Sequence, residues 1–114
     1  MEAQPVLYIR GIQCAPEFEE KFNKWFEEIH IPMLLKSNWV DGATRYKLAP
    51  VLEEEAPTYV TICEFKNRQA FEAWSASPEL VAAAKEREET WPIWPDEIKT
   101  MWRGVYEPIK TWHK

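Results

Sequence analysis

His30 is one of only two histidines in the chain, and it stands where an imidazole can be tuned. It lies in the stretch Trp25-Phe26-Glu27-Glu28-Ile29-His30-Ile31-Pro32. A proline disfavours helical geometry in the residue before it, so the pattern predicts a helix ending at about Ile31, with His30 in its last turn. There the unpaired carbonyls and the negative end of the helix dipole favour the imidazolium, against an ordinary pKa of about 6.5. Such a group serves as a general acid or base near neutral pH, or it merely caps the helix end. Tyr46 or Tyr8 is suited to donate a hydrogen bond to a developing enolate or phenolate, and Arg10 to hold an anionic substituent. Each also has a plainer role: Tyr46 as core filling, Arg10 as the partner of a glutamate across a sheet. Metal binding is not expected, because His30 and His113 are far apart and no HxxxH or HExxH occurs. Nor do the three glycines form a phosphate-binding loop, so no metal, haem or flavin is expected.

The 114 residues suffice for one domain and one core. A net charge of −5 without clustered Lys and Arg argues against nucleic acid and anionic membrane surfaces. The first residues lack a basic region followed by an apolar run, and no apolar stretch approaches the roughly 18 residues of a membrane span. A cytoplasmic location is expected. Cys14 and Cys63 suit free thiols better than a disulfide framework, and Cys63 reads by default as a small buried apolar residue. Seven tryptophans are more than one small core easily encloses, so some, Trp39 among them, should line a pocket or an oligomer interface. A Trp-rich core with an exposed rim is the alternative.

These residues need elements to hold them. Val6 to Ile12 reads as a strand. From Glu17 onward Phe18, Phe22, Trp25 and Ile29 recur at helical spacing. On a regular helix of roughly 100° per residue, His30 falls about 90° from the centre of that apolar face, on its flank. Trp39-Val40-Asp41-Gly42 is a turn, Ala43 to Leu48 a second strand, and the acidic run Glu53, Glu54 and Glu55 a solvated connection. Thr58 to Phe65 is a third strand. Asn67 caps a helix carrying Ala70, Phe71 and Trp74, which Ser77-Pro78 restarts and which runs to about Glu89. Thr90-Trp91-Pro92-Ile93-Trp94-Pro95 must leave the helix, its tryptophans plugging an end of the core or covering a site. Ile98 to Tyr106 is the fourth strand.

Strand, helix, strand, strand, helix, strand is the order of a ferredoxin-like α+β fold, with helices on one face of a four-stranded antiparallel sheet. The other face is then bare. Alternation groups Leu7, Ile9 and Gly11 with Val60 and Ile62 toward the helices. It leaves Tyr8 and Arg10 with Tyr59, Thr61, Cys63 and Phe65 on the opposite side. A bare face carrying Tyr8, Tyr59 and Phe65 calls for a second sheet, and hence a homodimer. Tyr8, Arg10, Thr61 and Cys63 are expected to line one cavity, with Tyr8, Arg10, Trp39 and Thr61 holding a small hydrophobic or aromatic ligand.

The element order, together with Trp25–Leu35, Gly42-Ala43-Thr44-Arg45-Tyr46 and Phe71-Glu72-Ala73-Trp74, resembles the EthD-like branch of the dimeric α+β barrel superfamily. The resemblance covers about residues 5–107, leaving residues 108–114 as a tail that can pack on a partner. It implies two ferredoxin-like subunits joining their sheets, each with a cleft between sheet and helices. It implies several chemistries: muconolactone-type isomerases, polyketide cyclases, cofactor-independent quinone-forming monooxygenases, haem-dependent enzymes, and members without known activity. By similarity to the methylmuconolactone methylisomerases, His30 corresponds to a first-helix histidine of the site and Cys63 to a strand cysteine. The leading expectation is a cofactor-independent lyase, isomerase or cyclase acting on a small aromatic or polyketide-like acid, with His30, Tyr46 and Cys63 catalytic. A non-catalytic ligand-binding protein is the rival, and a monooxygenase comes third.

Overall fold

Nine residues of strand-forming sequence, free of proline between Pro5 and Pro16, give the central strand β1 (Val6–Cys14). The computed structural model describes residues 4–52 and 55–114, so Glu53 and Glu54 of the acidic run lie outside the described residues. After β1 the chain forms α1 (Pro16–Trp25), a π-helical turn (Phe26–His30) and the short α2 (Ile31–Leu34) as one unbroken helical run. β2 (Gly42–Lys47) and β3 (Tyr59–Phe65) come next, then α3 (Arg68–Ser75), α4 (Pro78–Thr90) and β4 (Ile98–Tyr106). The strands form one antiparallel sheet in the order β2-β3-β1-β4, the ferredoxin-like arrangement expected from the sequence. Both expected caps are present: Asn67 Oδ1 accepts from the Ala70 N–H at 2.8 Å, and Ser77 Oγ accepts from the Leu80 N–H at 3.4 Å.

The first helix does not end at Ile31. It passes through Pro32 to Leu34 because the turn before the proline is wide: the Ile31 N–H reaches back five residues to the Phe26 carbonyl. A proline ring inside an α-helix strikes the carbonyl four residues earlier, and the wider turn gives it room. The extra residue also rotates the rest of the helical run by about one α-helical step of 100°. His30 therefore takes the inward direction that regular spacing assigns to Ile29, and Ile29 turns to solvent, 41% exposed. Trp25 and His30, five residues apart, stack with ring centroids at 4.8 Å. On a regular helix they would diverge by about 140°.

The sheet faces are also the reverse of the expectation. The residues expected to share a face do so, but Val6, Tyr8, Cys63 and Phe65 are the ones that pack against Leu34, Ala70, Trp74 and Ala83. A second cluster joins Ile12, Cys14, Phe22, Trp25, Phe26, Tyr59, Trp91 and Ile98. Trp91 and Trp94 close the end of this cluster, their rings 6.0 and 6.2 Å from Trp25. The face turned away from the helices carries Leu7, Ile9, Val60 and Ile62, with Tyr46, Trp102 and Tyr106 each at least 40% exposed. Gly11 sits on that face opposite Trp102, where a Cβ would meet the indole at 3.0 Å, so the ring lies across the bare glycine. The molecule is thin, 19 Å along its shortest axis, as one sheet under one layer of helices must be. No helix among the described residues is long and apolar enough to cross a membrane.

Candidate functional site

A cavity of about 280 Å³ opens between sheet and helices, where the two core clusters meet. Its floor is the helix-facing side of the sheet: Tyr8 and Arg10 from β1, Thr61 and Cys63 from β3, in directly paired positions Tyr8–Cys63 and Arg10–Thr61. Phe26, His30 and Leu34 enter from the first helical run, Phe71 and Trp74 from α3, and Leu80, Ala83 and Ala84 from α4. Small side chains on α4 leave the space open. Tyr8 lies 5.8 Å from Phe71 and 5.7 Å from Trp74 between ring centroids, so one wall is continuous aromatic surface. The Trp74 indole N–H donates to the Leu34 carbonyl at 3.1 Å, fixing its ring plane.

His30 is 7% exposed and stacks on Trp25, with Phe26 at 5.1 Å. Its Nδ1 is buried without a hydrogen-bond partner among the described residues. Burial first, and the nearby Arg10 guanidinium second, push its pKa down from 6.5 to about 4, with Glu86 opposing. The helix-end dipole expected to favour the imidazolium is absent, because His30 is inside the helical run. At neutral pH the imidazole is uncharged and ready to accept a proton. Arg10, which lines the cavity, donates from Nε and Nη2 to Thr100 Oγ1 at 3.0 and 2.7 Å. Burial pushes the Cys63 thiol up to about 11, so it stays protonated at neutral pH and is no thiolate nucleophile.

Of the seven residues singled out from the sequence, the cavity brings together His30, Cys63, Tyr8, Arg10 and Thr61. Tyr46 and Trp39 are not there. Tyr46 pairs with Val60 on the far face of the sheet, 56% exposed, and Trp39 lies beyond the first helical run at 53% exposure. Sequence reasoning missed Phe26, Arg87 and Arg103, which also line the cavity. The four-residue spacing of Phe22, Phe26, His30 and Leu34 was the available signal for the wide turn. Among the described residues no group of three His, Cys, Asp or Glu is arranged to hold a metal ion.

Solved structures share this fold at low identity. An EthD family protein from Bacillus halodurans superposes with a TM-score of 0.69 at 13% identity, over 92% of this chain and 99% of that one. SnoaB, a cofactor-independent oxygenase from Streptomyces nogalater, gives 0.58 at 18%, over 96% and 97%. MhuD, a heme-degrader from Mycobacterium tuberculosis, gives 0.65 at 19%, over 96% and 100%. The chain thus has the fold of the EthD-like α+β barrel proteins that its sequence resembles. No curated protein sequence matches it. Residues 5–100 match the family described as "Domain of unknown function (DUF4286)", and the chain belongs to that family.

Proposed function

We propose that this chain is a cofactor-independent enzyme of the lyase, isomerase or cyclase type that moves a proton on a small aromatic or polyketide-like acid bound in the cavity. The observation that carries this reading is the neutral, buried His30, whose side chain lines an aromatic-walled cavity beside Arg10. His30 takes a proton from carbon next to a carbonyl, becoming imidazolium as an enolate forms. The Arg10 guanidinium and the Tyr8 hydroxyl stabilise the enolate oxygen. Returning the proton to a different carbon isomerises the substrate; attack of the enolate carbon on an internal carbonyl, followed by loss of water, closes a ring. The imidazolium and the enolate offset each other's charge, so a histidine that is a weak base in the empty cavity becomes a stronger one during reaction.

The fold likeness to SnoaB supports a second reading. The same anion, given dioxygen as co-substrate, leads from a ring CH₂ to C=O with release of one water. Oxygen uptake separates the two. The bare face of the sheet supports a homodimer joined through Leu7, Ile9, Val60 and Ile62, with Tyr46, Trp102 and Tyr106 around them.

Phenylpyruvate, an aromatic acid with one enolisable carbon, tests the proton transfer. In D₂O the protein should speed loss of the C3 proton signal, and His30→Ala should slow the catalysed exchange by about 100-fold to 10,000-fold. Exchange at the same rate with His30→Ala as with the native chain removes His30 as the base.

A further inference from the structure

The cavity has a charge pattern that proton transfer alone does not need. Three guanidinium groups from three elements line it, Arg10 on β1, Arg87 on α4 and Arg103 on β4. Arg10 and Arg103 are directly paired across the two strands, an arrangement of like charges that destabilises a sheet. The ion pairs among the described residues are Arg45–Glu27, Arg68–Glu72 and Arg68–Glu107, and none involves the cavity arginines. Glu86, one residue before Arg87, is occupied by the Trp25 indole N–H at 2.9 Å and by the Thr90 hydroxyl. In a chain with 19 acidic residues against 14 lysines and arginines, three arginines around one cavity without an ion-paired carboxylate, opposed at His30 by Glu86, are a local excess of positive charge.

The backbone is shaped to assemble it. Gly11 pairs with Trp102 but Ile12 pairs with Thr100, so the ladder slips at Met101. A bulge of this kind re-aims the side chains beyond it. Thr100 consequently shares the inward face with Arg103, three residues away, and its hydroxyl accepts both the Nε and Nη2 donors of Arg10. Arg87 is braced over the Trp94 ring at 5.5 Å. Planar guanidinium groups held by neighbours are matched to the paired oxygens of a carboxylate.

We propose that Arg10, Arg87 and Arg103 form a carboxylate-binding cradle at the cavity, with Thr100 as the residue that positions Arg10, and that the ligands are organic acids whose ring lies against Phe71 and Trp74. The inference rests on the proposed function only in taking this cavity as the ligand site. A bound carboxylate also offsets the positive charge that opposes protonation of His30, so the acid group of the substrate strengthens the base that acts on it.

The full chain is titrated calorimetrically with 1-naphthoate and with the neutral 1-naphthamide. The acid should bind at least about tenfold more tightly than the amide, an advantage that shrinks as salt is added. Arg87→Gln and Arg103→Gln should each weaken naphthoate by about tenfold while leaving the amide unchanged, which also shows that the variants are folded. Thr100→Val should weaken naphthoate and Thr100→Ser restore it. Equal binding of acid and amide, or glutamine variants that keep the native preference, overturns the cradle and leaves the cavity reading standing. Failure of the native chain to bind either probe overturns both.

Discussion

An imidazole taken out of water leaves a trace in the stability of the whole fold. His30 has its ordinary value near 6.5 in the unfolded chain and about 4 in the folded one, so between those values the unfolded state binds more protons. Above about pH 6.5 its burial carries no protonation penalty; stability falls as the pH drops from there toward 4 and levels off below, a loss on the order of 3 kcal/mol. His30→Phe keeps an aromatic ring on Trp25 and removes the titration. Urea unfolding at about pH 7 and about pH 4.5 should therefore show the native chain losing more stability than the variant by about 2 kcal/mol, most of the full loss. Equal losses in the two proteins would mean that His30 is not buried neutral. Cys63 illustrates a different use of burial: its thiol, held protonated, serves the cavity as wall and weak donor.

At the scale of elements, most of the fold was legible in the sequence. Asn67 and Ser77 announced their helices because a cap is a local bond that the residue itself supplies. Proline in Trp91-Pro92-Ile93-Trp94-Pro95 ended α4 for an equally local reason. Two features escaped because they are decided between elements. The face of the sheet was misread because both faces are apolar: Val6, Tyr8, Cys63 and Phe65 meet the helices, while Leu7, Ile9, Val60 and Ile62 are equally suited to meet something else. Alternation tells which residues stand together, not which side is covered. The π-helical turn escaped because a one-residue change of pitch alters no residue type; it exchanged Ile29 for His30 and turned a flank residue into a cavity residue. Arg103 was hidden by the slip at Met101, which alternation cannot foresee. The site was thus legible in its strand residues, Tyr8, Arg10, Thr61 and Cys63, and illegible in two of the three arginines that give it charge.

For the whole molecule, a thin two-layer body with one sheet face bare predicts association through that face. Light scattering should give twice the 13.5 kDa chain mass. Ile62→Lys, at the middle of the bare face and paired with Ile9, should give the single-chain mass with an unchanged far-ultraviolet spectrum. A native chain that scatters as a monomer would contradict the paired sheets, though not the cavity. The cavity depends on His30 being turned inward by the wide turn, and its imidazole reports this directly. In an NMR titration of the native chain, with the His30 signals identified by their absence in His30→Phe, the midpoint should lie near 4. A midpoint at or above 6.5, the behaviour of a solvent-facing imidazole at a helix end, would contradict it.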